Sequence, residues 1–234
     1  KTIIDKFGAD TARSFVMFAG PPDQSAAWSN SGAEGTYRFL RRLWNWCFKH
    51  QQTIAQAGSV DVSALTPEHK NLRREIYQSL KQATSDIDRM QYNTVVSATM
   101  KMLNALEGAK LPEGEATAQV LKECAGILIR TLYPIAPHIT TQLWQDLGYE
   151  TEMGAILDAP WPEVDEKAMV ADDMTLVVQV NGKLRGSVTV PATADKETIE
   201  KAALENENVK KFTDGKTIRK IIVVPKKLVN IVAA

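Results

Sequence analysis

The feature that most constrains this chain is a change in the spacing of its apolar residues. Up to about residue 148 they recur at three- and four-residue intervals, the pattern of one helix face. After Asp173 they alternate, the pattern of a strand with one buried side. Two periods, each confined to its own stretch, predict helices first and a small sheet second.

Helix start and stop signals divide the first stretch. A short amphipathic helix over Asp10–Phe18 is stopped by Pro21 and Pro22. Ser31 and Glu34 fit a capping box and open a long helix toward Gly58. Thr66 followed by Pro67 is a cap with proline at the first helical position. From there Leu72, Ile76, Leu80, Ala83 and Ile87 keep one stripe to about Asp88. Asn93 is placed to cap a helix reaching Gly108, another spans about Glu115 to Tyr133, and Pro137 starts one that ends before Gly148. Antiparallel helices joined by short loops predict a bundle over residues 1–148.

The second stretch opens with "LVVQVNGKLRGSVTV", Leu176 to Val190, in which Asn181-Gly182 is a strong signal for a two-residue hairpin turn. A helix over about Asp195–Glu205 and a shorter one carrying Val209 and Phe212 follow. Asp214-Gly215 is a turn, and "TIRKIIVV" and "LVNIV" are a second strand pair. The predicted fold is therefore a mainly α helical bundle followed by a small α+β domain, ββααββ, over residues 174–234. With a regular hairpin, Val180 opposes Lys183 and Val178 opposes Arg185. Val177, Gln179, Leu184, Val188 and Val190 then meet the helices, and Lys183, Arg185, Ser187 and Thr189 form a solvated row.

Net charge is zero, but it is unevenly distributed. Residues 174–234 hold 11 Lys+Arg against 6 Asp+Glu. Residues 149–173 hold eight acids and one lysine without a clear period, and are expected to be an acidic connector that lets the terminal domain swing. The local excess of cations points to a polyanionic partner.

Several classes of function are not advertised. No apolar run reaches membrane-spanning length and no signal peptide opens the chain, so a cytoplasmic monomer is expected. Cys47 and Cys124 lack metal-ligand spacing and are expected as buried free thiols. His50, His69 and His138 fall in separate helices, with His69 expected in solvent and His138 at a helix start. Neither a phosphate-binding glycine loop nor a hydrolase motif is present. No catalytic residue, metal or cofactor is assigned.

Two cationic sets are candidates for binding. In the long helix Arg38, Arg41, Arg42, Asn45 and Lys49 share a narrow arc, which suits phosphate contact or pairing with nearby acids. Phe39, Leu40, Leu43, Trp44, Trp46 and Cys47 occupy most of the rest, and Trp44, Trp46 and Trp144 are expected in the core. In the α+β domain the set is Lys183, Arg185, Lys216, Arg219, Lys220, Lys226 and Lys227, with Lys210 and Lys211 nearby.

Particular stretches carry a family resemblance. "IIDKFGADTARSFVMF" (3–18), "MQYNTVVSAT" (90–99) and "YPIAPHITTQLWQDLG" (133–148) resemble the region after the KMSKS loop and the anticodon-binding bundle of class I aminoacyl-tRNA synthetases. "GPPDQSAAWSNSGAEGTYRFLRRLW" (20–44), "VVQVNGKLRGSVTVPA" and "IRKIIVVPKKLVNIVA" resemble the bacterial leucyl-tRNA synthetase family. The HIGH and KMSKS motifs of such enzymes are absent. The resemblance implies a C-terminal fragment without the ATP- and magnesium-dependent chemistry of its parent. It would hold the elbow and stem backbone of leucine-accepting tRNA. The alternatives are a stand-alone RNA- or protein-binding adaptor and an unrecognised small-molecule enzyme.

Overall fold

The computed structural model describes residues 2–25, 27–171, 173–225 and 227–234. The chain divides into two compact units, Lys1–Met169 and Val170–Ala234.

The first unit is helical. Its elements are α1 (Thr2–Phe7), α2 (Ala9–Ala19), α3 (Asn30–Gln56), α4 (Pro67–Asp88), α5 (Tyr92–Gly108), α6 (Glu115–Leu132), α7 (Pro137–Asp146) and α8 (Tyr149–Met153). Two caps sit upstream of their expected positions. Ser29, not Ser31, caps α3 by accepting from Gly32 N at 3.1 Å, and Glu34 lies 3.7 Å from Lys6 instead of reaching back. Asn93 lies inside the first turn of α5, whose N-cap is Gln91.

The α3–α7 core gathers the predicted stripes. Leu72, Ile76, Leu80 and Ala83 of α4 share one buried cluster with Leu43, Trp46 and Cys47 of α3 and the apolar side of α6. Trp144 is fully buried and stacked on Tyr149, ring centroids 4.7 Å apart. Gly126 leaves room for that tyrosine, since a Cβ there would stand 3.1 Å from its ring. Trp44 departs from expectation, being 39% exposed. A helix packed on one side only can bury a limited arc, and Trp46 and Leu43 occupy it. Cys47 and Cys124 are free and buried, and burial raises the Cys47 thiol to about 12, so both stay protonated.

The acidic stretch corrects a second expectation. It is not a connector over 149–173, because residues up to Met169 belong to the helical unit. Tyr149 and Ile156 are buried in the core, and Trp161 donates to Thr84 Oγ1 at 2.9 Å. Asp165 and Glu166 are paired with Arg73 and Lys81 of α4. Irregular backbone with no apolar period still packs when single large side chains and ion pairs are spaced to reach a helix surface.

His69 is the third correction, being buried at 1% exposure rather than solvated. It is the N3 residue of α4, and its Nδ1 accepts from the N-cap Thr66 N–H at 3.1 Å. That donor fixes the proton on Nε2, which donates to Thr117 Oγ1 at 2.7 Å. Burial holds its pKa below the ordinary imidazole value. The unfolded chain therefore takes up the proton first, and stability present above about pH 6.5 is lost as pH falls through the folded value. The melting temperature is expected to drop between pH 7.5 and 5.0, with a smaller drop in His69→Gln. Equal drops in both proteins would remove His69 from this account.

The second unit is one mixed sheet with helices against one face. Its elements are β1 (Asp173–Val180), β2 (Lys183–Pro191), α9 (Lys196–Glu205), α10 (Glu207–Thr213), β3 (Ile218–Val224) and β4 (Leu228–Ala233), with strand order β2-β1-β4-β3. β1 and β4 run parallel in the middle, because the helices carry the chain across between the two hairpins. Asn181 and Gly182 both have positive φ, as a primed turn requires. The Asn181 side chain also exchanges both of its hydrogen bonds with the backbone of Ala233, fastening the turn to β4.

The hairpin register differs from the regular one. Val180 does oppose Lys183, but Val178 opposes Gly186, with a bulge in between. Arg185 is the extra residue. The bulge shifts the rest of β2 by one, so Leu176, Val178, Val180, Val188 and Val190 form the helix-facing set with Ile199, Val209, Val229 and Ile231. Val177 and Leu184, expected inside, are exposed.

Candidate nucleic-acid interface

On α3 the residues Arg38, Arg41, Arg42, Asn45 and Lys49 are all exposed, as their spacing requires. They are not equivalent. Arg42 is tied to α5, donating to Asn104 Oδ1 at 2.7 Å and to both carboxylate oxygens of Glu107. The Glu107 hydrogen bond holds its pKa above the ordinary value. An arginine so engaged is mainly a brace between helices. Arg41 lies over the Tyr37 ring at 5.8 Å. Arg38 and Lys49 have no acid partner among the described residues. Lys49 borders a cleft of about 520 Å³ with Asn45, Trp46 and His50. His50 packs its ring 4.6 Å from Trp46, and burial together with Lys49 lowers its pKa, so the imidazole is neutral at pH 7.

In the second unit both ion pairs among the described residues lie on α9, Lys196 with Glu200 and Lys201 with Glu205. The candidate cations among the described residues are therefore left without acids. Lys183 stands exposed at the hairpin end, Lys216 in the turn before β3, and Lys227 in the turn before β4. Lys220 pairs with Val232 and Arg219 occupies a second irregularity at the start of β3. Lys226 lies outside the described residues. Uncompensated cations on a small unit set up the field that a phosphate backbone follows.

Arg185 belongs to this set but not where it was expected. It does not share the open sheet face with Ser187 and Thr189. Its guanidinium lies 3.8 Å from the ring centroid of Phe212 on α10. Phe212 was visible in the sequence only as an apolar residue of a short helix, since the bulge that brings Arg185 to it depends on strand pairing.

The remaining face of the sheet is mixed. Thr175 and Thr189 share a hydrogen bond at 3.0 Å, and Val177, Leu184 and Ile222 are exposed. Among the described residues no group of three or more His, Cys, Asp or Glu side chains could hold a metal ion. Nor is any helix among them long and apolar enough to cross a membrane.

A helical bundle followed by a small cationic sheet domain matches a known class. Residues 69–200 match the family described as the anticodon-binding domain of tRNA ligase, and the chain belongs to that family. More particularly, the chain is similar to leucine–tRNA ligases. That of Methylibium petroleiphilum is 56% identical over 232 residues, covering 99% of this chain and 26% of the relative. That of Paraburkholderia phymatum is 54% identical over the same length. The chain thus spans about a quarter of the curated relatives it matches. Among solved structures, the ternary complex of Agrobacterium radiobacter K84 agnB2 LeuRS with tRNA and LeuAMS shares the fold, with a TM-score of 0.78 over all of this chain and 29% of the other, at 24% identity.

Proposed function

We propose that this chain is the tRNA-holding portion of a leucine–tRNA ligase. The observation that carries the reading is the match to such ligases over nearly the whole chain, 56% identical in one case. The candidate cations of the second unit, which have no acid partner among the described residues, support it physically. In this reading the chain supplies position and no bond chemistry. Lysines and arginines grip phosphates of the tRNA elbow and stem, which fixes orientation while reading little base sequence. The acceptor end then reaches the amino-acid and ATP sites held elsewhere in such a ligase. ATP and magnesium serve those sites, and this chain acts without them, as a monomer in the cytoplasm.

The test is a salt titration of tRNA binding by the 234-residue chain, alone and with Lys183→Ala plus Lys220→Ala. Each lost phosphate contact is expected to flatten the dependence of log affinity on log salt by about 0.9 unit. The melt is expected to stay close to wild type, since exposed substitutions cost within about 0.5 kcal/mol. Leucine-dependent ATP–pyrophosphate exchange is expected to be absent. A wild-type chain with no salt-dependent affinity for tRNA would overturn the reading.

A further inference from the structure

We propose that Arg185 is a preorganised phosphodiester-binding fork and that Phe212 is the residue that positions it. The inference rests on the tRNA reading above and goes beyond it by naming one site, its ligand chemistry and the residue that shapes it.

The geometry is specific. The bulge in β2 takes Arg185 out of the regular alternation of the strand. Its guanidinium is then laid on the ring of Phe212, 3.8 Å from the centroid. Asn206 fixes the neighbouring backbone. Its Nδ2 donates to Ser187 O at 3.0 Å, and its Oδ1 accepts from Asn208 N and Val209 N at the start of α10. Gly186 lets the two approach closely, since a Cβ there would stand 3.1 Å from that Oδ1, tighter than an ordinary contact. Strand and helix are thus held in register, and the Arg185 plane with them.

The electrostatics leave the fork unused. Arg185 has no acid and no hydrogen-bond acceptor among the described residues. Its Nε is buried and unpartnered, whereas its terminal nitrogens, equally without protein partners, remain open to solvent. An arginine needed only for packing would be expected to satisfy Nε or yield to an uncharged side chain. Here the fold keeps a stacked, unpaired guanidinium with two free donors on one edge. Two parallel N–H groups in a fixed plane match the oxygens of a phosphodiester, which a flexible lysine does not. Lys211, beside Phe212 in sequence, and Lys216 in the following turn add charge without geometry.

The test measures tRNA binding by the whole chain over a salt series, with a thermal melt of each variant. Arg185→Ala is expected to weaken binding about tenfold and to flatten the salt slope by about 0.9 unit. Arg185→Lys, which keeps the charge, is expected to recover the slope and not the affinity. Phe212→Leu keeps apolar bulk but removes the ring face, and is expected to weaken binding several-fold with a melt lowered by at most a few degrees. Phe212→Tyr, which keeps the face, is expected to restore it. In the Arg185→Ala background Phe212→Leu should add nothing, because Phe212 acts only through Arg185. A further loss in that background would overturn the positioning role. Unchanged affinity and slope in Arg185→Ala, with wild type bound, would overturn the proposal and leave the tRNA reading intact. Failure of the wild type to bind would overturn both.

Discussion

Arg73→Ala is expected to cost the helical unit about 3–5 kcal/mol of stability, because it strands a partly buried carboxylate. The Arg73 side chain is 7% exposed and forms a two-pronged bridge to Glu123, at 2.7 and 2.9 Å. Tyr77 donates to the same carboxylate at 2.7 Å. Removing the cation leaves Glu123, 20% exposed, with one hydroxyl for a partner. It also frees Asp165, which Arg73 reaches at 3.3 Å. The 160–169 segment is therefore expected to become more open to protease as the unit weakens. Urea unfolding measures the first effect, and limited proteolysis with site mapping the second. Arg73→Met with Glu123→Leu should recover part of the loss, since apolar side chains of similar volume replace a buried pair at little cost. A loss under about 1 kcal/mol in Arg73→Ala would mean that water reaches Glu123 and that the bridge behaves as a surface one.

A loss of comparable size, about 3–5 kcal/mol, is expected for Trp144→Ala. The indole is fully buried in α7, stacked on Tyr149, and donates through Nε1 to Gly154 O at 2.9 Å. Truncation opens a cavity between α7 and α8 and orphans the Gly154 carbonyl. Tyr149, whose hydroxyl donates to Lys122 O at 2.5 Å, loses its stacking partner while still bound to α6. Trp144→Phe keeps much of the stack and forfeits the hydrogen bond, so it should cost only about 1–2 kcal/mol. The ordering of the two variants in urea midpoint, at unchanged slope, is the check. Equal losses would place the energy in the hydrogen bond, and a mild Trp144→Ala would show that the neighbours collapse into the space.

The sequence by itself determined the bundle, the order ββααββ and the position of most helix ends. These features are local. A stripe at three- and four-residue spacing must bury one helix face, Pro67 and Pro137 begin helices because they lack an N–H, and Asn181-Gly182 turns because its backbone tolerates positive φ. The exposure of the α3 cations was legible for the same reason, since their arc is opposite Leu43 and Cys47. Tertiary structure decided what each charge does. Arg42 became a brace because α5 brings Glu107 to it, and His69 became a buried cap because α6 covers it with Thr117. Asp165 and Glu166 carry no sign of a partner in the sequence, and only the packed α4 surface supplies Arg73 and Lys81 to them. Arg185 shows the limit most clearly. One extra residue in a strand reverses which face every later side chain takes, and whether that residue is accommodated depends on the partner strand and the helices behind it. Pairing over long sequence separation is set by the whole packed unit, and so the stack of Arg185 on Phe212 could be seen only once the sheet had closed against α10.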